Sequence, residues 1–177
     1  MRLREITYIS LCAIILAICS WVTIPSVVPF TLGTFGVYLV TLLLGGKRGT
    51  IAVAIHILLG LIGVPVFSGF RGGATVLLGA TGGYIVGYIL IALVMWVMEK
   101  WAVKNKWIRF LSMLLGLLLC YICGTLWFVI AYAKNMENSG IMAILGWCVF
   151  PYVIPDTIKI GMAYVVGKKI KSVVKID

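Results

Sequence analysis

Long apolar runs separated by short polar turns dominate the pattern of this chain. Six such runs lie at residues 6–23, 32–46, 50–66, 77–98, 108–132 and 142–167. A run of about 20 apolar residues has the length of a helix that crosses the hydrocarbon core of a membrane. The pattern therefore predicts an all-α integral membrane protein with six transmembrane helices, of which the second and third are short.

Glycine and proline indicate where two of these helices begin or end. The second and third runs are separated only by Gly45-Gly-Lys-Arg-Gly49, which predicts a tight helical hairpin. The last run contains Pro151 and Pro155. Because proline is tolerated in the first turn of a helix and disrupts its interior, these two residues predict a kink or a new helix that begins near Asp156.

Composition excludes a water-soluble fold. The chain is 63% hydrophobic and 11% charged, with a mean hydropathy of +1.16. Soluble domains are roughly 45 to 50% apolar and about 25% charged. A chain of 177 residues has room for about six spans and short connections. We therefore expect residues 1–177 to form a single membrane domain with no separate soluble domain.

The net charge of +10 is explained by topology. With six spans and both termini on one side, twelve of the fifteen lysines and arginines fall on that side. These are Arg2, Arg4, Lys47, Arg48, Lys100, Lys104, Lys106, Arg109, Lys168, Lys169, Lys171 and Lys175. Arg71 and Lys134 fall on the other side, and Lys159 lies within the last span. The positive-inside rule makes the basic side, and hence both termini, cytoplasmic. No nucleic-acid partner is needed to explain the charge.

Metal, redox and nucleotide chemistry find little support in the sequence. The five cysteines, Cys12, Cys19, Cys120, Cys123 and Cys148, all lie in apolar runs and are interpreted as small buried hydrophobes. His56 is better interpreted as a hydrogen-bonded histidine packed between helices than as a proton relay. The chain contains no phosphate-binding loop motif and no convincing nucleophile and base. We expect no metal, no cofactor and no enzymatic activity.

The strongest candidate for function is a charged pair inside the last apolar run. Asp156 and Lys159 are three residues apart and so share one helix face. A charge near the middle of a bilayer costs roughly 2.5 to 3.5 kcal/mol, so such residues usually face a cavity, a partner or a substrate path. An internal ion pair without further function is the alternative. Asp156 precedes Lys168 by about 18 Å of helix, which places the pair toward the outer side.

A second dense region is the glycine-rich loop Gly63-Val-Pro-Val-Phe-Ser-Gly-Phe-Arg-Gly-Gly73, which the charge pattern places outside. Gly72 and Gly73 suit a backbone that folds against a small molecule, and the isolated Arg71 suits capture of a polar or anionic group. Glycines at positions 79, 83 and 87 fit a helix-packing stripe equally well.

These residues together resemble a known family. The run from Gly63 to Tyr88, with Pro-Val-Phe-Ser-Gly69, Thr81-Gly-Gly-Tyr84 and Pro155-Asp-Thr-Ile-Lys159, is similar to the biotin-specific substrate-binding subunits (BioY type) of energy-coupling factor transporters. The similarity covers nearly the whole chain.

The resemblance implies capture of biotin in an outward-opening pocket covered by the loops between spans one and two and between spans three and four. It implies biotin contacts for Asp156, Lys159, Arg71, Gly72 and Gly73, and a lining role for Tyr84. It also implies a coupling membrane subunit and two ATPase subunits as partners, in the plasma membrane of a prokaryote.

Small residues on the first helix dock the coupling subunit in that family, and Ala13 and Ala17 fit this spacing. Small residues four apart are also a general packing device. The alternatives are the same architecture for another small vitamin, a stand-alone secondary transporter with Asp156 and Lys159 as a proton relay, and a membrane enzyme.

Overall fold

The residues that the structure describes are mostly helical and include one short β-hairpin. A computed structural model of the protein describes residues 3–25, 29–132 and 141–173. The helices are α1 (Leu3–Trp21), α2 (Gly33–Leu44), α3 (Gly46–Leu61), α4 (Ala74–Leu78), α5 (Gly82–Val97), α6 (Glu99–Ala102), α7 (Lys106–Tyr132), α8 (Ile141–Cys148) and α9 (Phe150–Val173). Strands β1 (Thr23–Ile24) and β2 (Phe30–Thr31) pair antiparallel. Ser68–Phe70 form one turn of 3₁₀ helix. Arg2, Lys134 and Lys175, used in the charge analysis, lie outside the described residues.

The helical membrane fold agrees with the sequence prediction. Within the described ranges, three segments are long and apolar enough to cross a membrane: Leu3–Trp21, Lys106–Ala131 and Ile144–Val173. Gly33–Leu44 and Gly82–Val97 are shorter apolar helices. At 1.5 Å per residue, α2 extends over only about 18 Å, less than a hydrocarbon core of about 30 Å. The count of six spans and the side of both termini stay predictions.

The turn between α2 and α3 is tighter than the predicted five-residue connection. Only Gly45 separates the two helices, and it has a φ of 81°. The following residues, including Lys47 and Arg48, form the first turn of α3. A side chain at Gly46 would overlap the backbone of Trp96 on α5, so α3 begins in direct contact with the end of α5.

The last predicted span begins earlier than its prolines indicated. The helical run breaks at Val149, and α9 begins at Phe150, so Pro151 lies in its first turn. Pro155 lies inside α9, and the helix continues through it. The predicted new helix near Asp156 is therefore wrong, and the alternative, a kink at the prolines, stays a prediction. One proline early in a long helix removes a single backbone hydrogen bond, which the other turns of α9 tolerate.

The core is organised around α2. Ten of its twelve residues are buried, and it packs against α1, α3, α5 and α9. A helix that is apolar and buried on nearly all sides occupies the centre of a bundle. On the other side of the bundle, α5 lies close against α7, because a side chain at Gly83 would overlap Trp127 and one at Gly87 would lie 2.7 Å from Cys120 Sγ. The glycine stripe thus serves helix packing at these two positions.

Candidate functional site

The charged pair of the last helix is fully enclosed by protein. Asp156 is 4% exposed and Lys159 is 3% exposed. Lys159 Nζ donates to Asp156 Oδ1 over 2.7 Å, as expected for charged residues three apart on one helix. Neither side chain faces lipid, which is the usual arrangement for ionised groups inside a membrane protein.

Two hydroxyl groups from other helices complete the surroundings of the carboxylate. Thr34 Oγ1, on α2, donates to Asp156 Oδ1 over 3.0 Å. The hydroxyl of Tyr121, on α7, donates to Oδ2 over 2.6 Å. Hydrogen bonds to an ionised group are short and contribute about 1.5 to 3 kcal/mol each. Asp156 therefore joins α2, α7 and α9 around one buried charge.

The lysine joins α9 to the β-hairpin. Lys159 Nζ donates to the backbone oxygen of Thr31 over 2.6 Å and lies 3.8 Å from the centre of the Phe30 ring. A cation over an aromatic face is attracted by the ring quadrupole, most strongly where water is excluded. The Phe30 ring also stacks on Tyr152, with centroids 6.2 Å apart. The hairpin between α1 and α2 is thereby held over the ion pair.

Two small cavities lie next to this pair. The inner cavity has a volume of about 50 Å³, and its walls include Thr34, Tyr121, Asp156 and Lys159. The outer cavity also has about 50 Å³ and reaches Phe67 and Ser68 in the loop after α3. Both cavities are bordered by Pro29, Thr31, Tyr84 and Tyr88. They therefore form two compartments of one site that runs from the ion pair toward the loops.

The loop between α3 and α4, residues 62–73, closes the site from above, and we refer to it as the lid loop. Trp21, at the end of α1, donates its Nε1 hydrogen to the Pro65 oxygen over 2.8 Å. Its ring stacks on Phe70 with centroids 4.8 Å apart. Phe70 has a φ of 56°, which is uncommon for a residue with a large side chain. These contacts hold the lid loop closed against α1.

The predicted lid-loop residues shape this loop and do not reach the ion pair. Arg71 is exposed, donates from Nε to the Ser68 oxygen over 3.1 Å and borders neither cavity. A side chain at Gly72 would overlap the Val64 oxygen. Gly73 has a φ of 96°, and its N–H donates to the Gly60 oxygen over 2.7 Å. Ligand contacts by Arg71, Gly72 and Gly73 stay predictions.

Tyr84 lies beside the site, and its role in lining a bound ligand stays a prediction. It borders both cavities, and its hydroxyl lies 3.2 Å from Thr125 Oγ1 and donates to the Cys148 oxygen over 3.3 Å. The ring is therefore fixed between α7 and α8, with its face toward the site available for packing against a ligand.

The predicted docking pair on α1 faces inward. Ala13 is 4% exposed and Ala17 is 5% exposed, on the side of α1 that packs against α2 and α3. The exposed side of α1 carries Leu11, Ile14 and Ile18 instead. In this conformation the two alanines serve packing within the chain, and their role in docking a partner stays a prediction.

Several site residues were missed from the sequence. Thr34, Tyr88 and Tyr121 border the inner cavity, and the backbone oxygen of Thr31 accepts from Lys159. A single hydroxyl in an apolar run carries little cost and is common in membrane helices, so it gives no local signal of function. Their proximity to Asp156 arises only from the packing of α2, α5 and α7.

Cys120 and Cys148 border the inner cavity, but the histidine and cysteines of the described residues do not assemble into a metal site. His56 is 1% exposed with its ring edge-on to Phe67, at 5.7 Å between centroids. Within the described residues neither of its ring nitrogens has a hydrogen-bond partner, so the predicted hydrogen bond is wrong and the packing against other residues is what remains. All five cysteines are free. Among the described residues, no three side chains of His, Cys, Asp or Glu come together as a metal site would require. The absence of a metal and of a cofactor stays a prediction.

The fold and the site define a multi-pass helical membrane protein with a buried charged centre beneath two closing loops. The chain belongs to the BioY family, whose sequence model matches residues 1–176. A relative from Thermotoga maritima, named "Biotin transporter BioY", is 35% identical over 171 residues, which cover 96% of this chain and 97% of that protein.

Two further comparisons agree with this membership. A "Probable biotin transporter BioY" from Pyrococcus horikoshii is 29% identical over 173 residues, covering 97% of this chain and 99% of that protein. A crystal structure of "the S-component for biotin from an ECF-type ABC transporter" has a TM-score of 0.82 and 25% identity, covering 95% of this chain and 90% of that one. These relatives are named as transporters, in agreement with the prediction of a transport role and against an enzymatic one.

Proposed function

We propose that this chain is the substrate-capture subunit of an energy-coupling factor importer in a prokaryotic plasma membrane, and that it binds biotin between Asp156 and the lid loop. Membership of the BioY family and the fold shared with a biotin S-component support this role. The observation that carries it is the buried ion pair beside two adjacent cavities.

The hydrogen-bonding capacity of the pair matches the ureido group of biotin. Asp156 Oδ1 accepts from two donors and Oδ2 from one, so a carboxylate with about four acceptor positions retains one at Oδ2. Lys159 Nζ has three hydrogens, and two of them are donated to the Thr31 oxygen and to Asp156. One acceptor and one donor therefore remain for a ligand, and a ureido N–H and its carbonyl oxygen supply the complements.

The rest of the vitamin suits the remaining walls. Tyr84, Tyr88 and Phe67 present ring surfaces along the path from the ion pair to the lid loop, and the thioether ring and alkyl chain of biotin are apolar. The terminal carboxylate then points to the lid loop, which carries Arg71 near its surface. A bound analogue that lacks the ureido group leaves Asp156 and Lys159 without partners, which strongly favours the true vitamin.

Binding requires the loops to move. Sites for small ligands usually enclose about 300 Å³ or more, whereas each compartment here has about 50 Å³. In this conformation Lys159 holds the β-hairpin and Trp21 holds the lid loop. Ligand entry joins and widens the compartments, and the ion pair exchanges part of its internal contacts for contacts with biotin.

Transport then depends on partners, since the sequence carries no phosphate-binding loop motif. A coupling membrane subunit and two ATPase subunits supply the energy, and no cofactor is involved. The test is biotin accumulation in vesicles that contain this chain with the ATPase module, with a Walker-lysine variant of the ATPases as control. Accumulation that requires intact ATPases supports the proposal. If biotin accumulates without the ATPase module when a proton gradient is imposed, the chain is a secondary transporter, and the proposal is overturned.

A further inference from the structure

A third cavity lies at the opposite end of the bundle from the ion pair. It has a volume of about 300 Å³ and opens among the α2–α3 turn, α6, the start of α7 and the end of α9. It shares no lining residue with the two compartments near Asp156. Its surroundings form the basic face of the protein, defined by Lys47, Arg48, Lys100, Lys104, Lys106, Arg109, Lys168, Lys169 and Lys171.

Three cations line this cavity. Arg109 extends from the first turns of α7, and Lys168 and Lys171 lie on one face of α9, one turn apart. Within the described part of the chain, none of the three forms an ion pair or a side-chain hydrogen bond. Unpaired cations that converge on one concave site favour an anionic ligand, because their mutual repulsion is relieved when it binds.

One carboxylate, that of Glu99, also borders the cavity, but it lies against the start of α3. Glu99 Oε1 lies 2.8 Å from the point where a Cβ atom would stand at Gly45, the residue that precedes α3. The positive end of a helix dipole favours a carboxylate at that place. With Glu99 set against α3, the lining still carries two more positive than negative charges, from three cations and one carboxylate.

Much of the remaining wall is apolar, and Thr41, Tyr164 and Ser172 add hydroxyl groups. Leu42, Met95, Ala102 and Val103 line the same cavity, and Val103 is 68% exposed at the surface of the helical bundle. A free phosphate or a soluble phosphate ester gains nothing from such a wall. A phospholipid does, since its phosphate lies next to a glycerol backbone and acyl chains.

We propose that this cavity binds the headgroup of an anionic phospholipid, with its phosphate between Arg109, Lys168 and Lys171 and its glycerol backbone against the apolar wall. Basic pockets between membrane helices on a positively charged face bind such headgroups. Arg109 is suited to two parallel hydrogen bonds with phosphate oxygens, and the lysines act as point charges. The site is separate from substrate capture and ties this end of α7 and α9 to the lipid leaflet.

The experiment measures lipid binding by the full-length chain in a neutral detergent. Short-chain phosphatidylglycerol, phosphatidylcholine of the same chain length, and soluble glycerol 3-phosphate are titrated separately. A pocket variant, Arg109→Gln/Lys168→Gln/Lys171→Gln, is compared with a control variant, Lys100→Gln/Lys104→Gln/Lys169→Gln. The control removes the same charge from exposed positions of the basic face outside the cavity.

We expect wild type to bind phosphatidylglycerol more tightly than the other two ligands. At about 1 kcal/mol for each basic contact, the pocket variant loses on the order of 100-fold in affinity. The control variant stays within about threefold, because exposed charges away from the pocket are screened. Equal losses of phosphatidylglycerol affinity in the two variants overturn the proposal, because they indicate general attraction to the basic face. Binding of phosphatidylcholine as tight as that of phosphatidylglycerol overturns it as well. Glycerol 3-phosphate binding as tightly as the lipid overturns the lipid assignment in favour of a soluble phosphate ester.

A folding defect in the triple variant is distinguished by its thermal unfolding without lipid. Should that unfolding change, the double variant Lys168→Gln/Lys171→Gln replaces it, since both lysines are exposed and have no recorded partner in the described residues. The double variant is expected to lose on the order of 30-fold in affinity for phosphatidylglycerol. Unchanged affinity in a normally folded double variant refutes the site.

Discussion

The ion pair of α9 predicts an unequal and strongly coupled response to mutation. Lys159→Met removes the cation and leaves Asp156 with two hydroxyl donors, from Thr34 and Tyr121. Asp156→Asn removes the anion and leaves Lys159 with the Thr31 oxygen and the Phe30 ring. The carboxylate is thus better supported after loss of its partner than the ammonium group is.

The magnitude follows from burial. Removing one partner of a buried ion pair costs about 3 to 5 kcal/mol, because the other charge is left uncompensated. Each remaining hydrogen bond to the carboxylate contributes about 1.5 to 3 kcal/mol. We therefore expect Lys159→Met to cost about 3 kcal/mol in the free energy of unfolding and Asp156→Asn about 5 kcal/mol. The double variant has no charge to leave unpaired, so its cost falls below that of Asp156→Asn alone.

The assay is a double-mutant cycle from reversible unfolding in mixed detergent micelles, without ligand. Lys169→Met is the matched control, since Lys169 is an exposed lysine on the same helix and is expected to change stability by no more than about 0.5 kcal/mol. Single effects that add to the double effect within about 0.5 kcal/mol refute the reasoning, because independent sites behave in that way. A larger cost for Lys159→Met than for Asp156→Asn refutes the proposed order.

Three further predictions address the surroundings of the pair. Thr34→Val removes one hydrogen bond to the Asp156 carboxylate and is expected to lower the free energy of unfolding by about 1.5 to 3 kcal/mol. Thr157→Val is the control and is expected to change this free energy little, because Thr157 is exposed and bonds only within its own helix. Equal effects of the two substitutions count against the hydrogen-bond network around Asp156. Gly83→Ala forces α5 away from α7 and is expected to lower the free energy of unfolding by about 1 to 3 kcal/mol. Gly161→Ala is the control, because a methyl group there meets no atom within 4 Å. An equal loss of stability in both variants argues against close packing of α5 on α7. Trp21→Phe keeps the ring stack but removes the hydrogen bond to the lid-loop carbonyl, which predicts faster biotin dissociation in stopped-flow exchange, and an unchanged rate excludes this latch.

The charged residues of the site could be predicted because their signal is local. A carboxylate and an ammonium group within one apolar run each cost free energy in a membrane, and pairing with an opposite charge inside the protein reduces this cost. Asp156 and Lys159 can pair because residues three apart lie on one face of a helix. The ends of the helices were less predictable. Proline chemistry restricts where a helix begins, yet Pro155 lies within α9 because the flanking turns outweigh one missing hydrogen bond.

The supporting residues could not be predicted because their signal is tertiary. Thr34 is separated from Asp156 by 122 positions and Tyr121 by 35, so only the packing of α2 and α7 brings them together. The spacing of Ala13 and Ala17 indicates a close helix contact but not which helix provides it. In the structure the neighbouring helices are those of the chain itself.

The most direct test of the central claim is calorimetric titration of biotin into the purified chain in detergent, for wild type, Asp156→Asn, Lys159→Met and the exposed control Lys169→Met. We expect tight one-to-one binding by wild type and the control. Loss of a charge-assisted contact worth about 1.5 to 3 kcal/mol weakens each site variant by at least tenfold. No measurable binding by wild type, or equal affinity in all four proteins, would contradict the assignment of biotin to this site.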